Sequence, residues 1–314
     1  MSKTCFLGID TSNYTTSLAF CDESGNIVAN LKRPLPVKEG ERGLRQSDAV
    51  FLHTKNIPEL FEEARTYFCE YRPVTIGVSA YPRTVEGSYM PCFLAGKAAA
   101  YALGSALGAS VCEFSHQNGH IMAAAYSGGA LPMALESPFI VFHVSGGTTE
   151  MILAQYENKD FKCKLIGGTV DINAGQAIDR VGVAMGLRFP CGPEMEALAL
   201  LRDGKKTKGI HVSVKDGQCN LSGLENKALQ LYRESGDRSA TAAYVIDFVT
   251  ETLLKMTADA RRAYPGLPVI YGGGVMSCSI IKNRLAGDDV YFAAPQFSSD
   301  NAAGIALLTY HKYC

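Results

Sequence analysis

Short apolar runs alternate with polar or glycine-rich turns along most of this chain of 314 residues. An apolar strand at residues 5–9 ends at Asp10, and a hydroxyl-rich turn separates it from a second strand at 17–20. The elements predicted next are a helix at 50–71 with Pro58 near its start, a strand at 75–79, a helix at 93–107 and a strand at 111–114. This alternation predicts an α/β fold.

The same design begins again roughly 135 residues later. A strand at 139–144 runs into the turn Ser145-Gly146-Gly147-Thr148, and the chain returns as a strand at 150–154. Such an echo predicts two lobes of similar plan, with their turns facing one cleft. We expect the first lobe at 1–130, with a C-terminal helix over 298–314 packing back on it, and the second lobe at 131–297.

The later part of the chain predicts one long helix and one further glycine turn. The helix spans 240–262, with Ser239 as its cap and Pro265 as its stop. A strand at 268–271 then opens onto Gly272-Gly273-Gly274, and the tail from 301 to 310 is helical again.

Composition narrows the class of protein without naming a partner. The formal charge is −1, and the only compact basic cluster in the sequence, Lys205-Lys206-Thr207-Lys208, is typical of a solvated loop, so charge neither indicates nor excludes RNA. The ten cysteines are scattered without a CxxC pair, as in reduced cytosolic proteins. No apolar stretch reaches the ~18 residues needed to span a bilayer. These features predict a cytoplasmic protein without a membrane partner.

The segment 115–120 carries the clearest candidate chemistry. His116 and His120 are four residues apart, and Ser115 is a good N-cap, so the two imidazoles project from one face near a helix start. Such a pair can bind one metal ion. The alternative is two ordinary surface histidines, because the zinc-protease motif has a glutamate after its first histidine and this chain does not.

The glycine turns and Asp10 are candidates for nucleotide binding. Glycines let backbone N–H groups approach phosphate oxygens, hydroxyls add donors, and an aspartate can hold Mg²⁺ or orient a water. Each piece alone has a plainer interpretation, since glycine turns are common and Asp10 at a strand end can merely cap a turn. Their order along the chain is the stronger signal.

That order resembles the glycoprotease-like family of the actin, heat-shock ATPase and sugar-kinase superfamily, which includes the catalytic subunit of threonylcarbamoyladenosine synthesis on tRNA. The resemblance covers nearly the whole chain and implies two lobes of the RNase H-like (actin-like ATPase) βα plan around a nucleotide cleft. The residues that carry it are Gly8 to Ser12, Asn56 to Pro58, Glu86 to Ser88, Lys97, His116 to His120, Val144 to Glu150, Asp171, Ala174 to Asp179, Gly192-Pro193, Gly272 to Val275 and Ser299 to Ala303.

The resemblance also implies a ligand set. His116, His120 and Asp300 correspond to the family's ligands for one iron or zinc ion, although Asp300 alone would be interpreted as a helix N-cap. Some relatives place a tyrosine near the metal just before the second turn. This chain has His143 there, which is either a further nitrogen ligand or an alternating strand residue that faces solvent.

The nucleotide side of the family's site corresponds to a second group of residues. The resemblance implies that ATP or an adenylate, with Mg²⁺ as a further candidate, contacts residues of the glycine turns and two acids. The residues so assigned are Ser145, Gly146, Gly147, Thr148, Asp171, Gly175, Asp179, Gly273 and Gly274, with Asp10 from the first turn. Asp179 by itself would be an exposed helix residue.

The implied function is metal-dependent transfer of threonylcarbamoyl from its adenylate to adenine N6 of tRNA or a related acceptor, with partner subunits of that machinery. Four positions depart from the family's usual residues and bear on the acceptor: Asn13, Tyr14, Asn118 and Thr148. Two alternatives stay open, a metallo-endopeptidase and a non-catalytic ATP-binding regulatory paralogue. The sequence ranks the peptidase lower, because Asn118 cannot take a proton from water as a glutamate would.

Overall fold

The computed structural model describes residues 2–12, 14–36, 44–202, 207 and 209–314. Asn13 of the first turn therefore lies outside the described residues, as do Lys205, Lys206 and Lys208 of the basic cluster.

Helices and strands alternate through the described chain. Its first elements are β1 (Lys3–Asp10), β2 (Thr15–Asp22), β3 (Ile27–Pro34), α1 (Gln46–Glu63), α2 (Arg65–Glu70), β4 (Tyr71–Tyr81), α3 (Phe93–Leu107), β5 (Ser110–Ser115), α4 (His116–Ser127) and α5 (Leu131–Glu136). Those that follow are β6 (Phe139–Val144), β7 (Thr149–Glu157), β8 (Asp160–Thr169), α6 (Ala174–Ala184), α7 (Gly192–Leu200), β9 (Val214–Lys215), β10 (Gln218–Cys219), α8 (Ser222–Ser235), α9 (Arg238–Ala263), β11 (Val269–Gly272), α10 (Ser279–Leu285), β12 (Val290–Phe292), α11 (Pro295–Ser298) and α12 (Ala303–Tyr313), with a 3-10 turn at Gly274–Ser277.

The chain forms two compact units. The first contains residues 1–127 and 299–314 together with Tyr156–Lys162, the tip of the β7–β8 hairpin. The second contains 128–155 and 163–298.

The first unit is built on a five-stranded sheet in the order β3-β2-β1-β4-β5. β1 runs antiparallel to β2 and parallel to β4, which is itself parallel to β5. The carboxyl ends of β1, β4 and β5 therefore meet at one edge of the sheet. Asp10 ends β1 at this edge, and His116 begins α4 directly after β5.

The second unit has a seven-stranded sheet in the order β12-β11-β6-β7-β8-β10-β9. Five of these strands, β8-β7-β6-β11-β12, repeat the order of the first sheet, and again the central strand β6 is antiparallel to one neighbour and parallel to the other. The mixed α/β class that the sequence predicted is confirmed.

Each unit buries its own apolar core. Leu7, Ile9 and Phe20 pack with residues of β4 in the first unit, and the largest cluster of the second unit gathers around Phe142 and Tyr271. Within the described residues, no helix combines the length and the apolar character needed to cross a bilayer.

Two predictions about helix ends were wrong. Pro58 lies inside α1 and not near its start, because His53 and Leu60 bury the same helix face on either side of it. Proline has no N–H to donate to the Thr54 carbonyl, but Pro58 and Thr54 are both exposed, so water can bond that carbonyl. The cap of α9 is Asp237, whose carboxylate accepts from the Ala240 N–H at 2.9 Å.

His53 is a fully buried histidine whose protonation opposes folding. Its Nδ1 lies 2.9 Å from Thr16 Oγ1, to which Asn56 also donates. Burial lowers the pKa of His53 to about 4, although the charges of Asp10 and Asp300 act in the opposite direction. The neutral ring is therefore the form compatible with the fold.

We expect the free energy of unfolding to fall as the pH drops from about 6.5, the pKa of His53 in the unfolded chain, toward 4. In this range the unfolded chain binds a proton at His53 and the folded chain does not. The loss attributable to this group between pH 7.5 and pH 5 is roughly 2 kcal/mol. Urea unfolding of wild type and His53→Gln at both pH values measures it. Equal pH dependence in the two proteins would contradict the assignment.

Candidate metal centre

The first two turns of α4 carry the two histidines, near a helix start as the sequence indicated. Ser115 Oγ accepts from the Asn118 N–H at 3.0 Å and so caps the helix. His116 and His120 lie one turn apart, with their ring centroids separated by 4.3 Å and their planes inclined at 72°. One helix face therefore presents two imidazoles.

Asp300, which precedes α12, completes the cluster within the first unit. Its Oδ1 lies 3.3 Å from His120 Nε2 and 3.6 Å from His116 Nε2. One ligand atom from each of the three residues lies within 4.8 Å of the others. Two imidazole nitrogens and a carboxylate oxygen are a donor set suited to iron or zinc.

Asp10 is a buried carboxylate that supports one of the candidate ligands, and its assignment to nucleotide or Mg²⁺ stays a prediction. Its Oδ2 lies 2.9 Å from His116 Nδ1, its Oδ1 accepts from the Ser12 N–H at 2.7 Å, and the side chain is buried. A carboxylate that accepts from one ring nitrogen directs the other toward a metal. Asp10 thus leaves His116 Nε2 as the donor atom beside Asp300.

Charge stabilises the same arrangement. Burial disfavours the protonated ring of His116, but the charges and hydrogen bonds of Asp10 and Asp300 outweigh burial and raise its pKa to about 10. Burial acts to raise the pKa of Asp300, yet His116 and His120 hold it well below its usual range. A cation that replaces the proton on His116 enters a site already built for positive charge.

Close backbone packing brings Asp300 to the histidines. A Cβ on Gly304 of α12 would overlap the carbonyl oxygen of Gly119 in α4, and a Cβ on Gly8 of β1 would overlap the carbonyl oxygen of Ala302. α12 can therefore lie directly on α4 and β1, and the residues just before it reach the histidine face. Neither Gly304 nor Gly8 could be recognised as a packing residue from the sequence, because glycine within a helix or strand signals close approach only once its neighbour is known.

Asn118 is a buried residue with a structural role, and its bearing on the acceptor stays a prediction. Its amide nitrogen donates to Asp160 Oδ1 at 2.8 Å and to the Phe161 carbonyl at 2.9 Å. α4 therefore bonds the tip of the β7–β8 hairpin through Asn118. No sequence pattern pointed to Asp160, which lies 42 residues further along the chain.

The glycine turns of the second unit lie close together. Gly175 donates its N–H to the Ser145 carbonyl at 3.2 Å, and a Cβ there would lie 2.6 Å from Gly146 N. Gly273 has a φ of +96°, and a Cβ on it would overlap the Val144 carbonyl oxygen. The turn after β6, the start of α6 and the end of β11 therefore converge on one place in this unit.

Some of the polar groups in the turn after β6 hydrogen-bond to one another. Ser145 Oγ accepts from the N–H groups of Gly147 and Thr148 at 3.3 and 3.1 Å. Its own O–H proton stays able to donate. Space is open over the Cα atoms of Gly146, Gly147 and Gly274, so this side of the turn admits a ligand.

The two acids assigned to the nucleoside each hold a backbone segment of the second unit, and their contact with a nucleoside stays a prediction. Asp171 accepts from the N–H groups of Leu221 and Ser222 at 2.8 and 2.9 Å at the start of α8. Burial acts against its charge, but these hydrogen bonds hold the pKa of Asp171 below its usual range. Asp179 accepts from the Cys191 N–H at 2.8 Å, and burial raises its pKa.

The roles of His143 as a metal ligand and of Tyr14 near the acceptor stay predictions. His143 lies on β6 of the second unit, opposite Glu150 on β7 and beside Gly272 on β11. Tyr14 lies in the first unit, where its carbonyl accepts from the Leu35 N–H at 2.7 Å.

The repeated strand order first defines the class: the chain has the actin-like ATPase and sugar-kinase fold, with a histidine–aspartate cluster that can hold a metal. Among solved structures, component A of (R)-2-hydroxyglutaryl-CoA dehydratase from Acidaminococcus fermentans is similar, with a TM-score of 0.58, 17% identity and 98% of both chains covered. A ROK family glucokinase from Streptomyces griseus, determined with glucose and AMPPNP, has a TM-score of 0.51 at 14% identity, covering 96% of this chain and 98% of its own. These likenesses support the fold alone.

Sequence comparison gives the family. The family model described as tRNA N6-adenosine threonylcarbamoyltransferase matches residues 53–307. A protein of that name from Thermus thermophilus is 30% identical over 316 residues, covering 98% of this chain and 92% of its own. The chain belongs to the tRNA N6-adenosine threonylcarbamoyltransferase family. This confirms the family resemblance and the transferase class that the sequence indicated.

A Gly304→Ala substitution tests the packing of α12. We expect it to lower the free energy of unfolding by about 1–3 kcal/mol, because the added methyl displaces α12 from the Gly119 carbonyl. We also expect weaker binding of Zn²⁺ or Fe²⁺, because Asp300 moves with α12. Gly223→Ala, in the exposed start of α8 where a Cβ meets no atom, is the control. Unchanged metal affinity in Gly304→Ala, by titration calorimetry, would contradict this account.

The Asn118–Asp160 pair makes a separate prediction. Asn118→Glu places a second carboxylate against Asp160 in a buried setting, and we expect a loss of about 3 kcal/mol of stability. Asp160→Asn in the Asn118→Glu background restores a hydrogen-bonding partner and recovers part of that loss. A double-mutant cycle by urea unfolding measures the coupling. Additive effects of the two changes would show that the pair does not interact.

Proposed function

We propose that this protein is a metal-dependent threonylcarbamoyltransferase that modifies N6 of a tRNA adenosine. The observation that carries the proposal is the His116–His120–Asp300 cluster, with His116 oriented by buried Asp10, in a chain of this family. His116, His120 and Asp300 would hold one iron or zinc ion. The ion would supply Lewis acidity to the carbonyl of the threonylcarbamoyl group.

The reaction needs positioning more than proton transfer by side chains. The adenine N6 forms a C–N bond to the carbamoyl carbon, the C–O bond to the adenylate phosphate breaks, AMP leaves, and one proton passes from N6 to solvent. Asp10 keeps His116 in the tautomer that points Nε2 toward Asp300, so the ligand set is organised before substrate binds. This organisation reduces the reorganisation required in the transition state.

The nucleotide part of the donor would use the second unit. Ser145 can donate its hydroxyl proton to a phosphate oxygen, since its lone pairs already accept from Gly147 and Thr148. Gly146 and Gly274, with open space over their Cα atoms, would let the nucleotide approach the backbone. Asp171 and Asp179 hold neighbouring backbone segments and are proposed as contacts of the nucleoside. His143 is proposed as an additional contact.

The transferase is favoured over the two alternatives on specific grounds. A metallo-endopeptidase needs a carboxylate beside its histidines to take a proton from water. The amide of Asn118, which lies between the two histidines, cannot do this, and both of its hydrogen bonds are directed to the 160–161 segment. A regulator without metal gives no reason for a buried carboxylate that orients His116. A tRNA substrate and accompanying subunits follow from the family and belong to the same proposal.

Metal analysis tests the cluster. We expect one equivalent of iron or zinc in the purified protein, its loss in His116→Ala, and a 10- to 100-fold lower metal affinity in Asp10→Asn, which keeps all three ligands. His211→Ala, an exposed histidine of the second unit, is the matched control and should bind metal as wild type does. Equal metal content in wild type and His116→Ala would sink the proposed ligand set.

Transfer is measured by supplying unmodified tRNA, ATP, bicarbonate and labelled threonine with the accompanying proteins of the pathway, then digesting the tRNA to nucleosides. We expect labelled threonylcarbamoyladenosine with wild type and at least a 100-fold lower rate with Asp300→Ala, because the ion loses its carboxylate. ATP binding with full metal occupancy but no labelled nucleoside would favour the regulatory paralogue. Cleavage of a protein substrate that requires His116 would favour the peptidase.

A further inference from the structure

The loop between α6 and α7 presents an aromatic ring to solvent on a firmly held backbone. Phe189 is 68% exposed at its tip, with Arg188 before it and Pro190 after it. Leu187 and Cys191, on either side of this tip, are buried. The loop therefore has two anchored ends and three exposed residues.

Both anchors are hydrogen-bonded. The Leu187 N–H donates to the Gly182 carbonyl at 2.9 Å, and the Cys191 N–H donates to Asp179 Oδ1 at 2.8 Å. A Cβ on Gly182 would overlap the side chain of Cys191, so this side chain packs directly on the backbone of α6. A partly buried carboxylate is thus committed to holding the loop. A ligand that contacts Phe189 meets a surface already ordered, which lowers the entropic cost of binding.

The residue before the ring is charged and exposed. Arg188 Nε lies 2.9 Å from Glu194 Oε1, while the Arg188 side chain is 92% exposed, so its remaining N–H groups face solvent. Hydrogen bonds from Arg188, with the charges of Arg188 and Arg238, lower the pKa of Glu194. A dry protein interface needs a larger apolar area than one ring among charges.

We propose that Phe189 stacks on an unpaired base of the tRNA, with Arg188 contacting an adjacent phosphate. Recognition of RNA loops uses exposed aromatic rings for base stacking and guanidinium groups for phosphates or stacking, and Phe189 and Arg188 supply this combination on a rigid loop. The inference rests on the proposed function, because it deepens the recognition of the same tRNA substrate. It assigns a substrate-positioning role to a loop whose residues hold no metal.

Affinity for an unmodified tRNA transcript tests the proposal. We expect Phe189→Ala to weaken binding about tenfold and Phe189→Tyr to keep it, since stacking a base on an aromatic ring is worth roughly that much. Phe51→Ala is the matched control, because Phe51 of α1 is exposed to the same extent, 68%, in the first unit. Arg188→Gln should reduce the slope of log affinity against log salt by about one.

Fluorescence gives a direct readout of stacking. The sequence contains no tryptophan, so Phe189→Trp and Phe51→Trp each introduce a single reporter. We expect tRNA to quench the emission of the Phe189→Trp protein and to leave that of the Phe51→Trp protein unchanged. A fully base-paired RNA duplex, which offers no unpaired base, should quench neither. Equal quenching of both reporters by tRNA, or none in either, overturns the proposal.

The transfer assay separates this inference from the proposed function. A raised KM for tRNA with kcat retained in Phe189→Ala supports both. Normal transfer with unchanged tRNA affinity in Phe189→Ala overturns the inference and leaves the transferase standing. A third outcome is that Phe189→Ala loses transfer, keeps its tRNA affinity and binds an accompanying protein more weakly. This result would assign the loop to a protein partner and overturn the RNA contact. Quenching of the Phe189→Trp reporter without transfer in wild type supports the RNA contact and contradicts the proposed transferase.

Discussion

The contact of α12 with α4 at Gly304 and Gly119 is the constraint on which the metal cluster depends. It joins the last helix to one in the first half of the chain, so that a carboxylate preceding α12 faces two imidazoles at the start of α4. Neither glycine offers a functional group. Their contribution is the absence of a side chain, which lets two helix backbones approach and removes the freedom of Asp300 to lie elsewhere.

The buried carboxylate of Asp10 orients the first histidine of this cluster. Asp10 would be costly inside the first unit without partners, and its two oxygens find them in the Ser12 N–H and in His116 Nδ1. Because β1, β4 and β5 end at one edge, the strand order itself delivers Asp10 beneath the first histidine of α4. The same sheet therefore supplies both the platform for the cluster and the group that sets its tautomer.

Local signals in the sequence predicted some elements well and others not at all. The observed bounds of α3 and β6 equal the predicted ones, since α3 ends at a glycine with positive φ and the apolar run of β6 ends at a Ser-Gly turn. β3 and β8 carry many polar residues, and no apolar run marked them. Pro58 misled because burial of one face of α1 outweighs a single lost hydrogen bond.

At the candidate site, too, the sequence could predict the role of some residues, whereas the role of others depends on contacts that only the structure shows. His116 and His120 could be paired from their spacing, because both lie on one helix, whereas only the resemblance brought in Asp300. Asp10, Asp171, Asp179 and Asn118 are polar residues in family motifs, and in each case the structure gives the side chain a partner within its own unit. A motif residue can therefore serve function by holding another residue in place. Among the motif residues that the structure describes, the groups we propose to meet the donor are the two imidazoles, Asp300, the Ser145 hydroxyl and the open faces of the glycines, and the acids around them hold neighbouring residues in place.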